Sequence, residues 1–356
     1  MSAAERRVGM SLAAIFGLRM LGLFLILPVF ALHAHKLSGG DDLTLVGLAL
    51  GAYGLTQAML QLAWGSASDR WGRKPVIAAG LLLFAAGSAV AALSTTIYGV
   101  IAGRVLQGAG AISAAVTALA ADLTREEHRT RVMAMIGASI GLVFAGSLAI
   151  APILYGWIDM SGIFWLTGAL SLAAIVLLLK VVPTPSVSGA QSSPVPLAAI
   201  FREAQLLRLN FGVFVLHLTQ TALWVLVPTA LVRDGHLAVE RHWLVYLPAV
   251  LLSFGVMVPA VLFAERKGRM KTVFSAAIAL LIFTLAGFAF AARGLWALAF
   301  WLTLFFAAFN ILEATQPSLI SRLAPPHAKG KALGLYNTLQ SIGLFVGGAA
   351  GGVLAK

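Results

Sequence analysis

Four ionisable side chains lie inside long apolar stretches of this sequence, and they are the first candidates for chemistry. They are Arg19, Arg104, His217 and Glu313. Charge is scarce, because 60% of the 356 residues are hydrophobic and only 11% are charged. Placing Arg, Lys or Asp at the centre of a membrane-spanning helix costs about 2.5–3.5 kcal/mol on insertion scales. Ionisable residues at such positions mark ion or substrate pathways, so we treat all four as candidate functional residues.

Glu313 is the only acidic residue inside an apolar stretch. A carboxyl group removed from water favours its neutral, protonated form, so Glu313 is a candidate to bind and release protons. The alternative is that Glu313 pairs permanently with an arginine of the other half of the chain and never titrates. Asn310 and Pro317 lie three residues before it and four residues after it, on the same face of a helix. We therefore count Asn310 among the residues that line a cavity.

Arg19 and His217 each have two interpretations. Arg19 lies about ten residues into its apolar stretch, so its side chain either extends to the inner membrane surface or faces a cavity, where it holds an anionic group or a carboxylate. His217 shares a helix face with Gln220 and Trp224 at spacings of three and seven residues, which suits a substrate cavity. The alternative is a packed histidine that bonds a neighbouring helix. Further candidates for the same cavity are Phe24, Tyr53 and Gln57.

The elements that must position these side chains are helices that cross a lipid bilayer. A helix of about 20 apolar residues crosses the hydrocarbon core, and this sequence, with a mean hydropathy of +0.93, contains eleven such stretches. The sequence lacks the alternation of apolar and polar residues that a membrane barrel requires. We therefore predict an all-α polytopic membrane protein, with spans at residues 10–32, 43–64, 75–94, 97–120, 132–156, 162–182, 209–231, 243–264, 272–292, 295–321 and 332–355.

The placement of lysine and arginine predicts the orientation, because cytoplasmic loops carry an excess of both. With a cytoplasmic amino terminus, the inner segments hold 18 of the 25 basic residues, the outer segments hold five, and Arg19 and Arg104 lie within helices. The net charge of +12 therefore follows one membrane face, where it attracts anionic lipid and gives no reason to expect nucleic acid. We expect a monomeric, multi-pass protein of the bacterial inner membrane. Since the sequence has no cysteine, it offers no thiolate metal site, and we expect no metal and no cofactor.

The first half of the sequence recurs about 200 residues later. Residues 68–76, SDRWGRKPV, match residues 264–273, AERKGRMKTV, and residues 139–146, SIGLVFAG, match residues 341–348, SIGLFVGG. Four such matches keep the same order at offsets of 196 to 202 residues. This pattern indicates a parallel duplication of six helices, as in the two halves of a transporter.

The duplication predicts how the chain divides. We expect an amino-terminal bundle of six helices at residues 1–182, a cytoplasmic linker at residues 183–208 and a carboxy-terminal bundle at residues 209–356. The linker begins with a flexible stretch rich in proline and serine, and residues 197–209 are predicted to form a short interfacial helix. The second half shows five spans where the first shows six, so we expect a twelfth span beyond Lys356.

The loop between spans 2 and 3 contains a charged motif. Its residues fit the pattern G-x-x-x-D-R-x-G-R-R/K in full, and they are Gly65, Asp69, Arg70, Gly72, Arg73 and Lys74. With this motif and its repeated halves, the sequence resembles the major facilitator superfamily. The segment RVLQGAGA around Arg104 is similar to the helix 4 signature of that family, and residues 137–156 are similar to the glycine-rich helix 5 signature of its antiporters, although Ala151 replaces the usual glycine before Pro152. Residues 309–322, FNILEATQPSLISR, resemble the drug-efflux branch.

The resemblance implies two pseudo-symmetric six-helix bundles that transport by alternating access, with proton-coupled efflux of small lipophilic compounds. It implies a proton-coupling role for Arg104, whose alternative is a structural ion pair. It also implies that Asp69 contacts the start of helix 11 near Gly334 when the inner side is closed, accompanied by an ion pair of Arg73 with Asp122. Because helix starts attract anions, such contacts would latch the two halves together.

Other functions stay open at this point. A proton-coupled importer of a small metabolite would use the same fold, and a non-transporting sensor is a further alternative. A lipid-modifying membrane enzyme would need a cluster of His, Asp or Ser, for which the one close group is His33, His35, Asp41 and Asp42. The nucleotide-binding pattern G-x-x-x-x-G-K-S/T is absent from the sequence, so ATP is not the intrinsic energy source.

Overall fold

The computed structural model describes residues 2–110, 112–184, 203–324 and 329–355. These residues form helices joined by short loops, with one isolated bridge between Ser38 and Thr96. Two short 3-10 helices occupy Ala34–Lys36 and Val239–Arg241. The α-helices of the described residues are α1 (Ala3–His33), α2 (Leu43–Trp71), α3 (Arg73–Leu93), α4 (Ile97–Ala109), α5 (Ser113–Asp122), α6 (Glu126–Lys180), α7 (Ala204–Arg233), α8 (Trp243–Arg266), α9 (Met270–Ala291), α10 (Leu295–Leu323) and α11 (Lys329–Leu354).

Nine stretches of the described residues are long and apolar enough to cross a membrane. One of them, Met135–Lys180, has 46 residues and extends about 69 Å as a helix, more than twice the ~30 Å hydrocarbon core. It therefore holds the predicted fifth and sixth spans. They are separated at Asp159, whose φ of 54° and ψ of −178° are not helical. The predicted eleventh span corresponds to α11, which is not one of these nine apolar stretches.

Three sequence-based boundaries need correction. α1 begins at Ala3 rather than at residue 10, which makes Arg19 the seventeenth of its 31 residues and places it at the helix centre. The predicted fourth span is divided into α4 and α5, because Gly110 leaves helical geometry at φ −78°, ψ 46°. The first residues of α7, from Ala204, were predicted to belong to a separate interfacial helix. The rest of that segment and most of the predicted linker lie outside the described residues.

The helices pack into two groups that follow the two halves of the chain. α1 packs along α6, and α3 packs against both α4 and α6. In the second half, α7 packs along α11, and α10 packs against α8 and α9. The main contact between the groups joins α2 to α11, with smaller contacts of α6 with α8 and of α1 with α7. We call the groups the amino-terminal and carboxy-terminal bundles. The residues at which each bundle begins and ends are still those predicted from the sequence.

The two bundles meet at their outer halves and separate at their inner halves. Along α2 and α11, a Cβ added to Gly47 or Gly348 would collide with backbone of the facing helix, so glycine permits this close approach. This contact runs from Leu43 and Gly352 at the outer end to Gln57 and Ser341 at mid-depth. Among the described residues, the glycine contacts and hydrogen bonds between α2 and α11 end at Gln57 and Ser341 and do not continue to the inner ends of these helices. We therefore describe this conformation as open towards the predicted cytoplasm.

Candidate functional site

Arg19, at the centre of α1, is enclosed by the amino-terminal bundle. It is only 1% exposed, and its Nη2 donates to the Tyr53 hydroxyl at 2.7 Å and to the Gly110 carbonyl at 3.3 Å. That carbonyl is available because α4 ends at Gly110. Gln57 Oε1 lies 3.5 Å from the same Nη2. The side chain therefore points into the bundle, and its predicted extension to the inner membrane surface is wrong.

Arg104 on α4 lies beside the same tyrosine as Arg19. Its Cζ is 5.1 Å from the centroid of the Tyr53 ring, and the Cζ of Arg19 is 5.8 Å from it. Nε and Nη2 of Arg104 donate to two backbone carbonyls of α2 at 3.3 and 3.4 Å, and Nη1 donates to Gln107 Oε1 at 2.8 Å. Gln107 donates in turn to Ser88 on α3 at 2.8 Å. Arg104 thus holds three helices of the amino-terminal bundle together.

Neither arginine has a carboxylate partner in this conformation. The salt bridges of the described residues involve other groups, so the structural ion pair predicted as the alternative role of Arg104 is not formed among them. Arg19 likewise does not meet the partner carboxylate that was one of its predicted options. Two enclosed cations therefore lie beside Tyr53, and the described residues hold them through neutral hydrogen-bond acceptors and aromatic rings.

His217, Glu313 and Gln340 form a polar cluster in the carboxy-terminal bundle, one from each of α7, α10 and α11. His217 Nε2 lies 3.6 Å from Glu313 Oε2, and the Gln340 amide nitrogen lies 2.7 Å from His217 Nε2 and 3.5 Å from Glu313 Oε1. His217 is 5% exposed, whereas the Glu313 side chain is 37% exposed, so its carboxyl group is only partly enclosed by protein. Among the described residues no arginine forms a salt bridge with Glu313.

The hydrogen bonds of His217 determine which proton states this cluster accepts. Nδ1 lies 3.1 Å from the Val213 carbonyl, which can only accept, so Nδ1 carries a proton. The Gln340 amide nitrogen lies 2.7 Å from Nε2 and can donate to it. If Nε2 gained a proton, it would become a donor facing Glu313, and the Gln340 amide would have to reverse so that its oxygen accepts. The cluster therefore accommodates the gain of a proton through rotation of one amide.

Gln340 and Ser341 are neighbours on α11, and they contact different bundles. Gln340 reaches Glu313 in its own bundle, whereas Ser341 Oγ accepts a hydrogen bond from Gln57 Nε2 of α2 at 3.0 Å. In the repeat, Ser341 corresponds to Ser139, which donates at 3.0 Å to a backbone carbonyl of α1 inside the amino-terminal bundle. The same repeat position thus stabilises one bundle in the first half and joins two bundles in the second.

Aromatic rings from both bundles meet at the centre of the molecule. Phe144 of α6 contacts Phe24 of α1 at a centroid distance of 5.1 Å, Phe306 of α10 at 6.0 Å and Trp224 of α7 at 6.4 Å. Trp224 contacts Tyr246 of α8 at 5.7 Å. We name Phe24, Phe144, Trp224 and Phe306 the aromatic cluster. It brings apolar, aromatic surface of both bundles together, and such surface suits a lipophilic ligand.

A small apolar pocket adjoins the aromatic cluster on the side of the carboxy-terminal bundle. Its lining residues are Gln220, Leu223, Trp224, Val227, Leu302, Phe305 and Phe306. Among the lining residues Gln220 carries the one amide side chain, and it lies four residues, or about one turn, before Trp224 on the helix face that the sequence predicted. Asn310 is directed elsewhere, because its amide nitrogen donates to Ser253 of α8 at 2.8 Å. It joins two helices rather than facing Glu313.

The charged loop between α2 and α3 is organised by Arg73. Its Nε donates to Asp122 at 2.9 Å and its Nη1 donates to Ser68 at 2.7 Å and to Asp69. The Arg73–Asp122 pair that the sequence predicts is therefore formed. Gly72 adopts φ 90° between the end of α2 and the start of α3, a conformation that favours glycine, so the motif needs glycine at this turn.

The other motif residues surround this ion-pair network. Lys74 Nζ donates to the Val182 carbonyl at the end of α6 at 2.7 Å, and a Cβ at Gly65 would touch Ala114 of α5. Arg70 is exposed. The Asp69 side chain is 62% exposed, and Gly334 faces open space. Since the latch is expected only when the inner side is closed, this open conformation leaves it a prediction.

Sequence reasoning missed Gln340, Ser341, Phe144 and Phe306. Gln340 and Ser341 were missed because they are neutral: within an apolar span a charged residue stands out, whereas an amide or a hydroxyl is common. The two phenylalanines belong to apolar runs in which every residue is a candidate for the core. Of the residues proposed as a membrane enzyme site, His35 and Asp41 pair at 3.0 Å, whereas His33 pairs with Asp159, outside that group, at 3.2 Å.

Comparison with known proteins identifies relatives along nearly the whole chain. The model of the Major Facilitator Superfamily matches residues 12–348. The chain is 44% identical over 356 residues to the inner membrane transport protein YajR of Escherichia coli (strain K12), covering 99% of this chain and 78% of YajR. It is 28% identical over 360 residues to the multidrug resistance protein MdtH of Aeromonas hydrophila, covering 98% of this chain and 88% of MdtH.

Solved structures show the same fold. The human organic anion transporter MFSD10 (TETRAN) superposes with a TM-score of 0.73 at 19% identity, covering 99% of this chain and 94% of that one. A bacterial homolog of the human lysosomal transporter Spinster, in an inward-facing and occupied conformation, gives a TM-score of 0.76 at 14% identity, covering 99% of this chain and 82% of that one. At these identities the likeness concerns the fold alone.

Proposed function

Since the chain belongs to the major facilitator superfamily and is therefore a secondary transporter rather than an enzyme, we propose that it exports small lipophilic compounds in exchange for protons. The substrate would bind between the two bundles, and the protein would act as a monomer in a bacterial inner membrane with its amino terminus in the cytoplasm. The relative YajR is named an inner membrane transport protein, and MdtH is named a multidrug resistance protein. Both names support this reading.

The observation that carries the proposal is the cluster of Glu313, His217 and Gln340. Glu313 is the one acid inside an apolar span, and it lies 3.6 Å from an imidazole that can also gain a proton. Its Oε2 is enclosed and has no hydrogen-bond partner in this conformation, which is a destabilising arrangement for an ionised carboxylate. A proton on Glu313 or His217 would relieve it. We therefore assign proton binding to this pair, with Arg104 and Arg19 as cationic elements of the other bundle.

The aromatic cluster supports a lipophilic substrate. Phe24 and Phe144 from one bundle face Trp224 and Phe306 from the other, so a planar apolar molecule would contact both bundles at once. Tyr53, Gln57 and Gln220 supply polar groups near this cluster. Few convergent polar groups on an apolar surface are typical of ligand cavities, and they leave room for substrates of different shape.

Gating follows from the charged loop. We propose that Asp69 leaves its exposed position and caps the start of α11 near Gly334 when the inner side closes. Arg73 would stay bound to Asp122 and hold the loop in shape throughout. The residues with roles in this gate are Gly65, Asp69, Arg70, Gly72, Arg73, Lys74 and Asp122.

The test is flux in proteoliposomes with an imposed pH gradient, using a panel of anionic, neutral and cationic aromatic compounds. Glu313→Gln should abolish pH-driven flux but spare exchange of labelled for unlabelled compound, because exchange needs no net proton movement. Asp234→Asn, which removes a partly exposed outer carboxylate paired with Arg233, is the matched control and should behave as the parent protein does.

Two results would contradict the proposal. Undiminished pH-driven flux in Glu313→Gln would remove the proton role of that residue. Movement of the compound in the same direction as the protons, rather than in the opposite direction, would favour the importer of a small metabolite. Both directions of compound movement can be measured in the same vesicles by reversing the imposed pH gradient.

A further inference from the structure

The amino-terminal bundle encloses two positive charges, and among its described residues no acid pairs with either of them. Arg104 is tied to three neutral acceptors. Arg19 is less completely bound, because its Nε and Nη1 are enclosed and have no hydrogen-bond partner. These two atoms carry three of the five N–H donors of a guanidinium, one on Nε and two on Nη1. A buried arginine with most of its donors unused is unusual and indicates that a partner is still to be bound.

Aromatic rings offset only part of this imbalance. The Cζ of Arg19 lies 5.3 Å from the centroid of Phe84 and 5.8 Å from that of Tyr53, within the range of cation–π interactions. Such contacts are weaker than the penalty of enclosing an unpaired ion. They also leave the N–H groups in the guanidinium plane without acceptors. An anionic oxygen would supply both the missing charge and the missing acceptor.

Arg19 is 1% exposed, so a ligand entering from the inner side would first have to move its neighbour Gln57. Gln57 is half-buried and forms the inner end of the contact between α2 and α11 through Ser341. On the inner side of this pair the bundles are apart. The Gln57 contact with Arg19 is also long, at 3.5 Å, so an anion entering from the inner side could insert between Gln57 and Arg19, where it would accept from the Gln57 amide and from the guanidinium donors that lack a partner.

We propose that Arg19, Tyr53 and Gln57 bind the anionic group of an amphipathic substrate, such as the carboxylate of an aromatic acid. The inference rests on the proposed export of lipophilic compounds and gives their charge. Phe24 lies five residues beyond Arg19 on α1, about 7.5 Å along the helix axis. The apolar body of such a molecule would therefore extend from the arginine to the aromatic cluster. A lipophilic cation would instead meet two uncompensated positive charges.

The experiment measures binding in nanodiscs without any gradient, using three molecules that share one apolar body: naphthoate, naphthamide and naphthylmethylammonium. Radiolabelled naphthoate is displaced by each unlabelled compound in the parent protein and in Arg19→Gln. Charge-assisted hydrogen bonds predict that Arg19→Gln weakens naphthoate binding about ten- to hundredfold and leaves the weaker naphthamide binding unchanged. Arg293→Gln, which removes an exposed outer arginine, should leave all three affinities unchanged.

The proposal is overturned if naphthylmethylammonium binds more tightly than naphthoate, if Arg19→Gln retains the parent affinity for naphthoate, or if naphthoate fails to bind at millimolar concentration. If Arg19→Gln does not fold, Arg19→Lys and Gln57→Leu give the same comparison, and each should lower naphthoate affinity selectively. Failure of the proposed efflux would appear separately, as absent pH-driven flux in proteoliposomes while selective naphthoate binding persists.

Discussion

The gate loop predicts a measurable shift between conformations when Asp69 loses its charge. In the open conformation Asp69 is 62% exposed and bonds only within its own loop, to Arg73. Exposed ion pairs of this kind contribute less than about 1 kcal/mol. Asp69→Asn should therefore leave folding and membrane insertion normal, because Arg73 keeps its bonds to Asp122 at 2.9 Å and to Ser68 at 2.7 Å.

Asp69→Asn should destabilise the closed conformation more than it destabilises the open one. A carboxylate at a helix start contributes about 0.3–1 kcal/mol at an exposed site. If Asp69 caps α11 only when the inner side is closed, its neutralisation moves the equilibrium towards the open conformation by about two- to fivefold. Transport should fall sharply, because the cycle requires the closed conformation in every turn.

The assay uses a single reporter thiol. The sequence contains no cysteine, so Asn337→Cys would introduce the only one. Asn337 is partly exposed and precedes Ser341 by one turn, on the face of α11 that turns towards α2. A membrane-impermeant maleimide supplied from the inner side should react about two- to fivefold faster in Asp69→Asn than in the reporter alone. Asp41→Asn removes an 89% exposed outer carboxylate and serves as the control.

Unchanged labelling together with unchanged transport would refute the latch. Loss of transport with unchanged labelling would also count against it, since the charge would then act on something other than the open–closed equilibrium. A decrease in labelling would mean that Asp69 stabilises the open conformation, through Arg73, and would reverse the argument.

Two further predictions concern backbone contacts. Gly348→Leu places a side chain against Gly47 on the closed outer side. The resulting overpacking costs about 1–3 kcal/mol, so it should separate the outer halves of the bundles and slow labelling of Asn337→Cys. Faster or equal labelling would contradict the assignment of the outer contact. Asp159 has φ 54° and ψ −178°, a conformation that only glycine adopts readily and that costs other residues about 1–3 kcal/mol. The Asp159→Gly variant should therefore unfold at a higher temperature than the Asp159→Ala variant. Equal unfolding temperatures would show that the backbone is not strained at this position.

Much of the helical framework follows from the sequence because a bilayer imposes a length on each apolar run. α2, α4, α8 and α10 begin at Leu43, Ile97, Trp243 and Leu295, where the sequence-based spans begin. The errors arise where local conformation overrides hydropathy. The division of the fourth span depends on Gly110, whose backbone departs from the helix within an apolar run, and hydropathy carries no information about such a break.

The candidate site was predictable in part for a similar reason. Charged residues inside apolar spans identify themselves, and Arg19, Arg104, His217 and Glu313 were found in this way. Tyr53 and Gln57 were also named, but only as cavity candidates and not as partners of Arg19. The pairing itself was not predictable, because the partners of Arg19 and Arg104 are neutral: a tyrosine hydroxyl, amides and backbone carbonyls. Of the alternatives kept open for these arginines, pairing with a carboxylate is not found among the described residues.

The distribution of charge places particular weight on α11. The enclosed cations lie in the amino-terminal bundle, whereas the acid and the imidazole that can gain protons lie in the carboxy-terminal bundle, so any coupling between substrate and proton must cross the boundary. Gln340 and Ser341 are successive residues of one helix; the first bonds the proton-binding pair and the second bonds Gln57 beside Arg19. Because Gln340 and Ser341 are adjacent on one helix, a rotation of α11 that follows a change in the bonds of Gln340 also moves Ser341. An anion that inserts between Gln57 and Arg19 would act on the same pair from the other side. The two events thus share one element, and under the proposed function this shared element would couple the exchange of an anionic substrate for protons.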